Sequence, residues 1–221
     1  MTSTLKAYAL RLFPQVAALA VILLMVSIAF PGFFRLEMQN GRLYGSVIDI
    51  LNRGAPVALL AIGMTVVIAT KGIDLSVGAV MAICGAVAAA CITEGYGLAT
   101  TLVITIGTGL LCGLWNGVLV AVLDIQPIIA TLVLMVAGRG IAQLITEGAI
   151  LTFNDTGLIF IGSGSLFGLP MPVVIWLVFG LVVAFIVRRT ALGMLIEALG
   201  VNRRAAMLSG VSTGVLLIAA Y

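Results

Sequence analysis

Three groupings of polar side chains interrupt the long apolar runs of this sequence, and they bound the chemistry it can perform. The first is TKGIDLSVG at 70–78, where Gly72 and Gly78 loosen a helix and Asp74 and Ser76 offer oxygens beside the freed backbone. Asp74 either caps the helix that follows, at its positive end, or belongs to a broken helix lining a polar cavity, since irregular backbone at membrane depth is tolerated only there. The second is Asn116, with Gln126 and Thr131 further along. Such groups either bond neighbouring helices to one another or line a pathway. The third is Arg139, more than halfway along an apolar run. A charge there is a functional candidate, and it can also snorkel to the outer surface or pair with an acid.

These groups supply hydrogen bonds, not covalent catalysis. The 221 residues contain no His, which removes the usual general base and the commonest metal ligand. Neither HExxH nor GxSxG occurs, so a membrane-embedded enzyme is disfavoured. Cys84, Cys91 and Cys112 lie within or at the end of apolar runs, show no metal spacing and read as packing residues. No metal site and no cofactor are expected. A net charge of +3 gives no case for nucleic acid.

The elements that must position the polar groups are membrane helices. Hydrophobic residues make up 62% of the chain, and charged residues 9%, against roughly 25% in soluble domains. The expected fold is an all-α polytopic membrane protein. A short basic lead with Lys6 and Arg11 precedes a first span at 14–30, with Pro14 at its start. Ser27 and Ala29 also fit a signal-peptide cleavage pattern, but an uncleaved span is preferred because the rest of the chain is membrane. Residues 31–53 are polar and mixed in charge, with a short interfacial helix expected at 46–51. Further spans are expected at 55–70, 75–92, 98–123, 127–145 and 171–187. The second is short for a bilayer that needs about 20 apolar residues. A turn at 93–97 and a longer loop rich in Gly and Ser at 146–169 connect them. Residues 212–221 begin a seventh apolar run too short to cross, so the reading is six complete spans, the start of a seventh, and a piece of a longer chain. Gly107, Gly109, Gly113 and Gly117 let helices approach closely.

Charge orients the spans. With the N-terminus in the cytoplasm, the inside segments hold Lys6, Arg11, Lys71, Arg188, Arg189, Arg203 and Arg204. The outside segments hold Arg35, Arg42 and Arg53 beside Glu37, Asp49, Glu94, Glu147 and Asp155. The inside loop at 188–211 has internal pattern. Leu192, Leu195, Ile196 and Leu199 recur at helical spacing before Gly200, and Asn202 can cap a second short helix that Gly210 ends. It reads either as a cytoplasmic docking surface or as a plain positive-inside anchor.

Three stretches, TKGIDLSVG (70–78), WNGVLVAVLDIQPIIATLVLMVAGRG (115–140) and TALGMLIEALGVNRRAAMLSGV (190–211), resemble the membrane permeases of ATP-binding cassette sugar importers that handle ribose, xylose and arabinose. The likeness covers about 41–211, and residues 41–70 are most similar to the galactofuranose branch. Lys71 stands where that family usually has the first of two glycines. The resemblance implies a single transmembrane permease domain over 1–221, C-terminally incomplete, from a chain of about ten spans in a bacterial inner membrane. It implies a second permease subunit, a cytoplasmic ATPase, a periplasmic sugar-binding protein and a surround of membrane lipid. The nucleotide would bind on the partner, because GxxxxGK[ST] is absent here. Carried onto this chain, the ATPase-coupling loop holds Gly193, Glu197, Gly200, Asn202, Arg203, Ala205, Ala206 and Gly210. The implied function is import of a monosaccharide by alternating access, with Asp74, Asn116, Gln126 and Thr131 on the pathway. The alternative is an ion-coupled carrier of a small polar solute, which needs titratable groups facing a cavity.

Overall fold

The computed structural model describes residues 2–39 and 41–221, with side chains from residue 13 onward apart from 39 and 40. Lys6 and Arg11, part of the charge bias above, therefore lie outside the described side chains. The chain is a set of apolar helices joined by short connections. α1 (Thr2–Ala29) begins well before Pro14, so that proline sits inside the helix instead of at its start. From Phe13 onward its apolar side chains are mostly exposed, as suits a helix whose neighbour is lipid.

α2 (Ser46–Ala69) is longer than its apolar run suggests. The segment expected as a separate interfacial helix is its first turn and a half, with Asp49 placed favourably at the positive end of the dipole. At 1.5 Å per residue the 24 residues reach roughly 36 Å, enough for a hydrocarbon core of about 30 Å. α3 (Val77–Thr93) follows the break at 70–76, and α4 (Leu98–Ala121) and α5 (Pro127–Ile145) complete a group. α7 (Met171–Arg189) returns beside α2, after the short α6 (Thr156–Ser163). α8 (Ala191–Val201), α9 (Arg203–Leu208) and α10 (Thr213–Ala220) end the order. α2, α4, α5 and α7 are each long and apolar enough to cross a membrane, while α3 and the described part of α1 are 17-residue apolar helices. This is a polytopic helical membrane protein.

The polar connections are more ordered than their composition suggests. β1 (Glu37–Gln39) and β2 (Arg42–Tyr44) form one antiparallel hairpin, and β3 (Ser165–Leu166) and β4 (Leu169–Pro170) form another. The Leu43 N–H donates to the Gly168 carbonyl at 2.9 Å and ties the two together. An isolated hairpin is marginal in water; here each is braced by the other and by the ends of α2 and α7.

α3 is the packing centre, lying against α4 and α5, while α10 packs on α4. Ala79, Ile83, Ala86 and Ala89 form the buried face of α3. Close approach depends on glycine on the partner. A Cβ on Gly138 of α5 would stand 3.0 Å from Ala79 Cβ and 3.1 Å from Ile83 Cδ1. On α4, a Cβ at Gly117 would meet Ile218 Cα of α10 at 2.9 Å, and one at Gly109 would meet Cys84 Sγ at 3.4 Å. Gly113 faces the Tyr221 backbone, and Gly107 faces open space. Dispersion between packed helices is what holds them together in lipid, where there is no hydrophobic drive between them. Gly138→Val should therefore push α5 off α3 and cost about 1–3 kcal/mol by overpacking, read as earlier thermal unfolding in detergent; Gly107→Val should leave the transition in place.

Candidate functional site: a polar break over a cavity

The site begins with how α2 stops. Thr70 is the last half-helical residue, and its hydroxyl donates to the Val67 carbonyl at 2.7 Å. The Lys71 N–H then bonds the Ile68 carbonyl and the Gly72 N–H bonds the Val67 carbonyl. That pair of bonds is a Schellman motif, whose residue directly after the C-cap must be left-handed and is usually glycine. Lys71 takes the position with φ 62°, at a cost of roughly 1–2 kcal/mol for a residue with a Cβ. The likeness to a family with glycine here is thus explained by the backbone: the turn is kept, and the lysine accepts its strain.

Residues 72–76 are non-helical, and side chains take up several of their backbone groups. The Thr131 hydroxyl on α5, fully buried, accepts from the Leu75 N–H at 3.1 Å and bonds the Pro127 carbonyl of its own helix at 2.9 Å. The Asp74 Oδ1 accepts from both the N–H and the hydroxyl of Ser76, at 2.7 and 2.6 Å. Asn116 Nδ2 on α4 donates to the Ser76 hydroxyl at 2.8 Å. Asn116 (amide) to Ser76 (hydroxyl) to Asp74 (carboxylate) is a relay of three side chains. Asn116 is 1% exposed and Ser76 0%.

The relay faces a cavity of about 400 Å³ between α2, α3, α4, α7 and α10. Leu59, Met64, Val80 and Phe179 supply apolar wall; Asp74, Ser76, Asn116 and Tyr221 supply polar groups. Two buried polar atoms on this wall have no hydrogen-bond partner among the described residues: Asn116 Oδ1 and the Tyr221 hydroxyl. A buried group left unpaired costs about 1–3 kcal/mol, so the wall carries unspent bonding capacity. Asp74 has no salt-bridge partner among the described residues. An apolar cradle with a few convergent oxygens suits a neutral solute that can donate from hydroxyls.

Of the residues singled out in the sequence, Asp74 and Asn116 meet at this cavity. Thr131 stands behind the break and secures its backbone. Gln126 is elsewhere: it precedes α5 and lines a separate pocket of about 220 Å³ with Asp124, Arg203 and Tyr221. Arg139 is exposed on α5, without an ion pair among the described residues, and lines neither space. Tyr221 joins both walls and was not singled out, because a lone Tyr at the end of an apolar run carries no signal of its own.

The loop at 188–211 packs on the same ends of the helices. Thr190 caps α8 by accepting from the Leu192 N–H at 3.3 Å, and Asn202 caps α9 by accepting from the Ala205 N–H at 3.1 Å. Gly193 and Gly200 are buried, and a Cβ on either would strike a carbonyl, that of Val187 or that of Ala69. Ala206 is buried too, and Leu199 packs with Leu216 and Leu217. The outer face carries Glu197, Ala205 and Gly210, with Val201 at 77% and Leu208 at 86% exposure.

Residues 46–221 match the family described as the permease component of branched-chain amino acid transport systems. The chain belongs to that family. Among curated relatives it is 58% identical over 208 residues to the galactofuranose transporter permease protein YtfT of Escherichia coli K12, covering 94% of this chain and 61% of that protein. It is 36% identical over 213 residues to the fructose import permease protein FruF of Bifidobacterium longum, covering 94% and 60%. It is 35% identical over 208 residues to the ribose import permease protein RbsC of E. coli K12, covering 92% and 62%. The chain thus spans about three fifths of the length of these relatives. No solved structure gives a significant match. In this multi-pass membrane protein the relay joins α4 to the break at 72–76. Ser76→Ala removes the group that both accepts from Asn116 and donates to Asp74. It should lower stability by about 1–3 kcal/mol, seen as a lower unfolding temperature in detergent, whereas Ser76→Thr should keep most of it.

Proposed function

We propose that the chain is part of the membrane permease of an ATP-binding cassette sugar importer, with galactofuranose the favoured substrate. The observation that carries this reading is the 58% identity, over nearly the whole chain, to a galactofuranose transporter permease. The cavity is compatible with it. Its free groups are acceptors and one phenol, which suit the hydroxyls of a neutral monosaccharide, and among the described residues no Lys or Arg lines it to neutralise an anion. Sugar would pass by Asp74, Ser76 and Asn116, with Gln126 further toward the cytoplasm and Thr131 holding the break.

The chain is a single transmembrane domain over 1–221 in a bacterial inner membrane, its N-terminus in the cytoplasm. It pairs with a second permease subunit, receives sugar from a periplasmic binding protein and catalyses no reaction itself. A cytoplasmic ATP-binding cassette ATPase drives alternating access through the loop at 188–211. Glu197, Asn202, Arg203, Ala205 and Gly210 belong to the outward surface of that loop, while Gly193, Gly200 and Ala206 seat it on the spans. Membrane lipid covers the apolar faces that stay exposed. An ion-driven carrier would have only Asp74 as a titratable carboxylate on the cavity wall, and its Oδ1 is already engaged twice.

The test is ATP hydrolysis by the full-length permease in lipid, with its candidate ATPase and sugar-loaded binding protein, over a panel of sugars. Loaded binding protein should stimulate hydrolysis, with galactofuranose the strongest. Glu197→Lys should cut the stimulated rate about tenfold or more, since a like-charge juxtaposition at an interface costs several kcal/mol. Uptake that continues with no ATPase present would overturn the reading.

A further inference from the structure

Two of the non-glycine residues in left-handed backbone conformation end membrane helices on the side of the 188–211 loop, and both grip that loop at one place. Lys71 (φ 62°) follows α2, and Asp124 (φ 53°) follows α4. Lys71 Nζ donates to the Val201 carbonyl at 3.1 Å, the last residue of α8, where the helix dipole favours a cation. Arg203 Nη1 donates to Asp124 Oδ1 at 2.8 Å, from the first residue of α9. The α8–α9 junction is thus held from two helix ends, 130 and 79 residues away in sequence.

Both bonds are solvent-exposed, so they are of the kind that forms and breaks easily. Beneath them lies the smaller pocket, lined by Gly72, Asp124, Gln126 and Arg203, and Tyr221 separates it from the main cavity. Lys71 is three residues from Asp74, within the same non-helical segment that carries the relay. The junction and the cavity wall are thus joined through one short segment of chain.

We propose that Lys71 and Asp124 form a two-point clamp on the α8–α9 junction that transmits loop displacement to the Asp74–Ser76 segment. The proposal rests on the loop being the ATPase-docking element, and Lys71 and Asp124 are positioning residues that need touch no sugar. Lys71→Gly removes the amine while giving the backbone the residue its conformation favours, so loss of folding does not confuse the result.

The experiment uses the full-length permease with its ATPase in proteoliposomes. Two quantities are read: sugar imported per ATP hydrolysed, and the rate at which a membrane-impermeant maleimide labels Ala206→Cys from the cytoplasmic side. The label is read in a background of Cys84→Ala, Cys91→Ala and Cys112→Ala, with any further cysteine of the full chain removed. Ala206 lies on the buried face of α9, where the loop seats on the spans. Lys71→Gly and Arg203→Asp should each raise labelling and lower the sugar-to-ATP ratio by about fivefold or more, the lower range of ordinary coupling between sites. Arg203→Asp combined with Asp124→Arg should restore both. Unchanged labelling overturns the clamp, whatever the ATPase does. Raised labelling with an unchanged ratio overturns its coupling role. A wild-type complex that ignores loaded binding protein overturns the importer reading instead, and the clamp is then judged by labelling alone.

Discussion

Backbone amides and carbonyls that leave a helix inside a membrane must find new partners, because hydrocarbon offers none and each orphan costs several kcal/mol. The break at 70–76 answers part of that demand with its own turn and with side chains around it. Its first turn is closed by the Schellman bonds of Lys71 and Gly72, its centre by the Thr131 hydroxyl, and its end by Asp74 over Ser76. The relay to Asn116 then fixes α4 against the break. Position these groups and the rest follows: α3 starts where Ser76 allows, and the cavity takes its polar wall from the same side chains.

Much of this was legible in the sequence, for physical reasons. Apolar length fixes spans, and polar residues inside them are expensive enough to be informative; Asp74, Asn116 and Thr131 were found that way and all attend the break. Asp74 borders a cavity but does not cap α3: Ser76 holds the cap position without a side-chain capping bond, and Asp74 Oδ1 bonds Ser76 itself. Gln126 lines a different pocket from Asp74 and Asn116. It lies just before α5, while Thr131 lies one turn inside. The early starts of α1 and α2 were missed because polar residues can occupy helical turns at the interface without an apolar signal. The joined hairpins were missed because two- and three-residue strands are set by pairing with each other, not by local pattern.

The family description names branched-chain amino acids, whereas the relatives above are named for sugars. A shared helical frame with different lining residues accommodates both, because function resides in the site and not in the fold. An amino acid brings a carboxylate and an ammonium that want opposite charges. Among the described residues the cavity wall here holds one acid and no base.

The close fit of Gly138 against Ala79 has a mechanical corollary. α3, α4 and α5 share one interlocked packing, and α10 lies against α4, while α2 packs chiefly on α7. The cavity opens between these two parcels, and Leu59 and Phe179 belong to one while Asp74, Asn116 and Tyr221 lie toward the other. Its volume is therefore set at a seam. Any sliding or tilting along that seam with every helix intact would have to be absorbed where the chain crosses it, and the seven-residue strap at 70–76 is the shortest such crossing.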